Sequence, residues 1–258
     1  MKISILKKSK DKLILLVEGT TSSYINTIRR LIIAEVPTLA IEDIEFKQND
    51  SALYDEMLAL RFGLVPLKTD LKLYNLPSEC TCQGAGCAKC QCKMNLKVNG
   101  AKPVYSKDMH FLDPKIVSVH AEIPIVKLLE SQKLELEATA ILGKGKEHMK
   151  WSPGMASFRA VPIITADKTA DKTIINTNSK TLSITGTKVK VLNHLKYNGS
   201  LEQDLEENGF NIDFSDTDFI FTIESWGQLK PKQIFEQAIV EYNKLLKVAQ
   251  NMIKEATK

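Results

Sequence analysis

A chain of 258 residues that is 43% apolar and 26% charged is long enough to bury a sizeable core, as two compact units or as one with an insertion. Its 35 basic against 31 acidic side chains leave +4 at pH 7, too mild a balance to announce nucleic-acid binding, which takes a concentrated basic face. The longest apolar runs, such as 13–17 and 31–34, fall far short of the roughly 20 residues that cross a bilayer. The opening MKISILKKSKDK carries no export signal, so no membrane contact and a cytoplasmic location are expected.

Ile3 and Ile5, then residues 13–17, flank KKSKDK, the pattern of a β-hairpin. Residues 20–23 offer N-caps before YINTIRRLIIAEVP, whose Ile25, Ile28, Ile32 and Val36 recur at helical spacing until Pro37 ends the run. Arg29 and Arg30 lie beside that apolar face. Residues 41–46 alternate as a strand does, and LYDEMLALRFGLVPL resumes a helical rhythm before Gly63 and Pro66.

Residues 80–92 read CTCQGAGCAKCQC and hold all five cysteines, spaced C-x-C-x4-C-x2-C-x-C. The small residues Gly84, Ala85 and Gly86 let the backbone fold tightly around a centre. Four thiolates in a tetrahedron are what Zn²⁺ takes in a closed structural site, and the short separations close the loop at little entropic cost. Cys80, Cys82, Cys87 and Cys90 are the favoured ligands because Cys92 abuts the next strand, with Cys92 as the substitute for Cys80 or Cys90. Three alternatives stay open. Disulfides conflict with the odd count and a reducing compartment, an iron–sulfur cluster lacks its usual spacing, and a loop without metal remains. Four thiolates leave no position for substrate, so the centre is read as structural.

Met94, Leu96 and Val98, then Ile116, Val117 and Val119, then LELEATAIL at 134–142 all read as strands and make the middle of the chain β-rich. GKGKEH at 143–148 lacks the phosphate-loop spacing and reads as a turn. His110, His120, His148 and His194 are scattered and no catalytic constellation can be named. Residues 165–218, Lys/Thr/Asn-rich and then acidic, are read as a peripheral appendage whose structure the sequence specifies poorly. FIFTIES at 219–225 is a strand, and Pro231 opens a last helix. In it Phe235, Ala238, Tyr242, Leu245, Ala249 and Met252 recur at alternating steps of three and four, widened by Ile239, Leu246 and Ile253. Such a face fits either the chain's own sheet or a partner helix.

NTIRRLIIAEVPTLAIEDIEF, LYDEMLALRFGLVPLKTD, KEHMKWSP and FIFTIESWGQLKP together resemble the D-subunit family of archaeal DNA-directed RNA polymerases. The likeness extends to the third-largest subunit of eukaryotic RNA polymerase II and, more distantly, to the N-terminal domain of the bacterial alpha subunit. It covers nearly the whole chain. The resemblance implies an α+β fold: a discontinuous dimerisation domain, an antiparallel sheet plus two helices, from residues 1–47 and 219–258. A β-rich domain at 48–164 would be inserted, followed by an appendage at 165–218. Some relatives carry a ferredoxin-like domain at that appendage, but this span has no cysteine, so no iron–sulfur cluster is expected.

The resemblance further implies a non-catalytic assembly subunit of DNA-directed RNA polymerase, a nucleotidyltransferase complex. The helices holding Ile25, Ile28 and Ile32 and holding Phe235, Ala238, Tyr242, Leu245, Ala249 and Met252 would pair with the smaller subunit L. The heterodimer, joined by small subunits N and P, would be the platform for the catalytic large subunits, with Arg29 and Arg30 near that contact. DNA would be met only through the complex. Eukaryotic relatives carry a zinc loop of C-x-C-x3-C-x2-C at the corresponding place; here the gap is one residue longer and Cys92 is added. Two rival functions are a free-standing zinc-containing nucleic-acid-binding module and a metal-dependent redox enzyme. The first lacks a basic, aromatic-studded stripe, since Lys89, Lys93 and Lys97 are the only cations near the cysteines.

Overall fold

Ser9 closes the first turn twice over, its hydroxyl donating to the Lys12 carbonyl at 3.2 Å and accepting the Lys12 N–H at 3.1 Å, as expected of a short polar hairpin turn. In the computed structural model, which describes residues 1–256, the strands flanking it are β1 (Lys2–Lys8) and β2 (Lys12–Glu18). There follow α1 (Ser22–Ala34), β3 (Thr38–Asn49), α2 (Asp55–Gly63), β4 (Gln91–Asn99), β5 (Pro103–Tyr105), β6 (His110–Phe111), β7 (Pro124–Lys127) and β8 (Lys133–Gly143). The chain continues through β9 (Gly154–Ala166), α3 (Thr173–Thr177), β10 (Leu182–Thr185), β11 (Lys188–Val191), α4 (Gly199–Glu207), β12 (Phe210–Ser225) and α5 (Pro231–Ala256). The fold is α+β, with antiparallel sheets. Among the described residues no helix is long and apolar enough to cross a membrane.

The chain forms two compact units, both discontinuous. The first joins Met1–Arg29 to Ala156–Ile223 around a six-stranded sheet ordered β1-β2-β12-β9-β11-β10. Gly19, at φ 68°, takes the left-handed turn that lets its N–H reach the Asp218 carboxylate at 2.9 Å, which ties the end of β2 to β12. The segment 165–218, expected as a loosely specified appendage, is ordered structure in this sheet. Ile164, Ile175, Leu182, Leu201, Leu205 and Phe210 are members of a core cluster of its own. Asn198 caps α4 by accepting the Leu201 N–H at 3.0 Å. The strand expected at 219–225 begins nine residues earlier, at Phe210. The acidic residues mask it: Phe210 is buried and Ile212 half-buried, but Asp213, Phe214 and Asp216 all stand exposed along the strand.

The second unit joins Arg30–Met155 to the chain from Glu224. Its sheet runs β3-β8-β4-β6, with β5–β7 as a separate pair. Strand β4 alternates strictly, burying Cys92, Met94, Leu96 and Val98 in a core that also holds Leu58 and Phe62 of α2. Residues 116–119 are not the strand their β-branched run suggested. Ile116 is buried at a turn, its N–H donating to the Asp113 carbonyl at 3.0 Å, and the only ladder contact there is an isolated bridge from Leu67 to Ser118. A β-branched run supplies strand propensity but not a neighbouring strand. The units follow different boundaries from the expected domains, because β9 and β12 carry 165–218 into one sheet with the N-terminal hairpin.

Candidate metal centre and docking helix

The cysteine loop is built by tight turns. Gln83 donates its N–H to the Cys80 carbonyl at 2.9 Å and Ala85 to the Cys82 carbonyl at 3.0 Å, while Gln83, Gly84 and Gly86 all take positive φ. A second turn brings the Cys90 and Gln91 N–H groups to the Cys87 carbonyl, both at 3.0 Å. The two turns face each other. The sulfurs of Cys80, Cys82, Cys87 and Cys90 all lie within 4.8 Å of one another, with Cys80 to Cys87 at 3.6 Å, Cys82 to Cys90 at 3.5 Å and Cys87 to Cys90 at 3.8 Å. A tetrahedron with Zn–S bonds of about 2.3 Å has edges of about 3.8 Å, a length that these three separations approach. The Cys87 N–H also donates to the Cys90 sulfur at 3.2 Å, a bond that favours thiolate.

The thiol protons are unevenly held. Hydrogen bonding from Cys80, then from Cys90, lowers the Cys82 thiol to about 6, whereas burial pushes Cys90 up to about 12. A bound dication reverses the penalty on Cys90, because the thiolate it creates is neutralised where it forms. Cys92 stands apart: buried in β4, it points its sulfur at the Lys93 carbonyl at 3.7 Å and packs in the core. The four-cysteine cluster can therefore hold a metal ion, and the fifth is packed elsewhere.

The helix residues divide into two sets. Ile25, Ile28, Ile32 and Ala238 are fully buried within the chain, which corrects their expected place on a partner surface: their side chains are already covered. Phe235 and Tyr242 are half-buried, Arg29 is half-buried with its Nε donating to Asn26 at 3.0 Å, and Arg30 is exposed. Beyond Tyr242, α5 is exposed along its whole described length, Leu245 at 46% and Met252 at 64%, with Ala249 between them. Leu246 and Ile253 are exposed too, as are Val240 and Val248. The heptad pattern omits those two valines because it tracks one stripe.

The two features that the chain's own cores leave unused are thus a turn-bound cluster of four thiols and the exposed apolar side chains of α5 beyond Tyr242. The family model described as "RNA polymerase Rpb3/RpoA insert domain" matches residues 41–167. "DNA-directed RNA polymerase subunit Rpo3" of Methanosphaera stadtmanae is 35% identical over 98% of this chain and 97% of its own. The subunit of the same name in Methanosarcina mazei is 36% identical over 91% of each chain, and that of Archaeoglobus fulgidus 32% over 92% of each. The chain belongs to this Rpo3 family, the archaeal D/Rpb3-type subunits of DNA-directed RNA polymerase, and so to a nucleotidyltransferase complex.

Proposed function

We propose that the chain is a non-catalytic assembly subunit that pairs with subunit L and, with small subunits N and P, forms the cytoplasmic platform on which the catalytic large subunits assemble. The observation that carries the reading is the exposed apolar surface of α5 beyond Tyr242. Fourteen described residues, 243–256, expose Leu245, Leu246, Val248 and Met252, and a helix with apolar groups on that much of its girth is stable in water only when covered. Obligate pairs of this kind bury about 2,000 Å² or more. The dimerisation domain is read as 1–47 with 219–258, and the family match to 41–167 supports an insertion between them. Exposed Arg30 is available to a large subunit. The cysteine cluster is read as a structural zinc centre of Cys80, Cys82, Cys87 and Cys90, which would hold the loop beside β4 and take no part in nucleotidyl transfer.

The test is co-expression with subunit L. Wild-type chain should co-purify with it in equal amounts, and Leu245→Asp with Leu246→Asp should abolish that recovery. Equal recovery of the double variant would overturn the reading.

A further inference from the structure

The turn GKGKEH has a packing role in each of its first residues. A Cβ on Gly143 would sit 2.3 Å from the Trp151 ring, and one on Gly145 would sit 2.0 Å from the Ile33 carbonyl oxygen. Lys146 donates its N–H to the Ala34 carbonyl at 2.9 Å. Two glycines thus press the turn against the end of α1 and leave Lys144 between them with its side chain mostly buried. The ammonium donates to Glu35 Oε2 at 2.9 Å and lies 3.6 Å from Glu241 Oε2.

Glu241 is the last buried residue of α5, its side chain 3% exposed. Its Oε1 accepts from Gln237 Nε2 at 2.8 Å and from Lys244 Nζ at 3.0 Å, and Lys244 reaches on to Glu79 at 3.8 Å. A carboxylate this deep is stable only when paired and hydrogen-bonded on both oxygens. Burial acts to lower the Lys144 pKa, but the Glu35 hydrogen bond and the two carboxylate charges outweigh it and raise the value. Apolar contacts such as those of Ile234 and Ala238 are non-directional, whereas charge-assisted hydrogen bonds fix an angle.

We propose that Lys144 is a positioning residue for subunit pairing: by holding Glu35 and Glu241 together it sets the direction in which α5 leaves its own core, so the exposed half is preformed for its partner. This rests on the pairing reading above. A helix already held in its bound direction loses less freedom on association.

The experiment compares full-length wild type with Lys144→Met, Lys144→Arg, Glu241→Gln and the Lys144→Met/Glu241→Gln double variant. Hydrogen exchange is followed over residues 231–242 and affinity for subunit L is titrated. Lys144→Met should speed exchange there and weaken pairing by about tenfold or more, because it leaves two carboxylates facing each other. Lys144→Arg should recover most of both. Glu241→Gln, which keeps the shape of the side chain, carries the test should Lys144→Met fail to fold. The double variant should be no weaker than the worse single one, a non-additivity that general loss of stability would not produce. Unchanged exchange and pairing in Lys144→Met and Glu241→Gln, with wild type pairing normally, overturns this inference and leaves the pairing reading standing. Failure of wild type itself to pair removes both.

Discussion

The sulfurs of Cys82 and Cys90 lie 3.5 Å apart and hold their protons with opposite strengths, one thiol lowered to about 6 by its cysteine neighbours and the other raised to about 12 by burial. A metal that takes both as thiolates must displace the Cys90 proton throughout the neutral range. Zinc binding therefore releases at least one proton, and affinity should climb by about tenfold or more from about pH 7 to about pH 8. Competition against a colorimetric chelator across that range measures the slope; a flat profile would exclude Cys90 as a ligand. Cys90→Ser should lose stoichiometric zinc and Cys92→Ser should keep it.

Tyr74 donates its hydroxyl to the Asp113 carboxylate at 2.8 Å, bridging the segment before the cysteine loop and the turn that buries Ile116. The Asp113 pKa is lowered first by the Lys115 N–H and then by this hydroxyl. A depressed carboxylate contributes stability that is fully present above its unfolded value of about 3.9 and fades as pH falls through the lower folded value. Tyr74→Phe should cost about 1 kcal/mol near neutral pH. The gap to wild type, measured by urea unfolding, should narrow below about pH 4.

Gly227 takes φ 99°, and a Cβ there would stand 2.3 Å from Val119 Cγ1. Its N–H donates to the Ser225 hydroxyl at 2.9 Å, and the next residue's carbonyl accepts the Thr69 N–H at 3.0 Å. Gly227→Ala should cost about 2 kcal/mol through strain and overlap together. Adding Val119→Ala relieves the overlap and leaves the backbone strain, so thermal melting should recover only in part.

Leu205 is fully buried in the small core under α4. Leu205→Ala should destabilise that core by about 2–5 kcal/mol. Hydrogen exchange should rise across α4 and the β10–β11 hairpin while β4 and β8, in the other unit, keep their protection. Uniform loss across both units would mean that they unfold as one.

Much of the architecture is legible in local patterns of the chain. The hairpin around KKSKDK, helices α1, α2 and α5, and strands β3, β4 and β8 all announce themselves by period and caps, and Thr21 Oγ1 does accept the Tyr24 N–H at 3.3 Å. Strand β9 does not announce itself, although GMASFRAVPIITA alternates, because Pro162 interrupts the pattern that identifies a strand. The fold of 165–218 is hidden by its charge: its apolar residues are few, and they become a core only when β9 brings Ile164 and Ala166 to them.

What sequence by itself determined were the properties that live within a few residues of chain: the four grouped thiols, the periods of the helices, the turns at glycine and proline. Spacing suffices there because short loops have few ways to close. Only the tertiary structure decided which apolar faces are already covered. A period of three and four marks Ile25, Ala238 and Leu245 alike, yet the first two are buried and the third is exposed. Burial depends on what packs opposite, and around α5 the contacts that decide it, such as those of Glu241 with Lys144 and of Lys144 with Glu35, join residues that stand far apart along the chain.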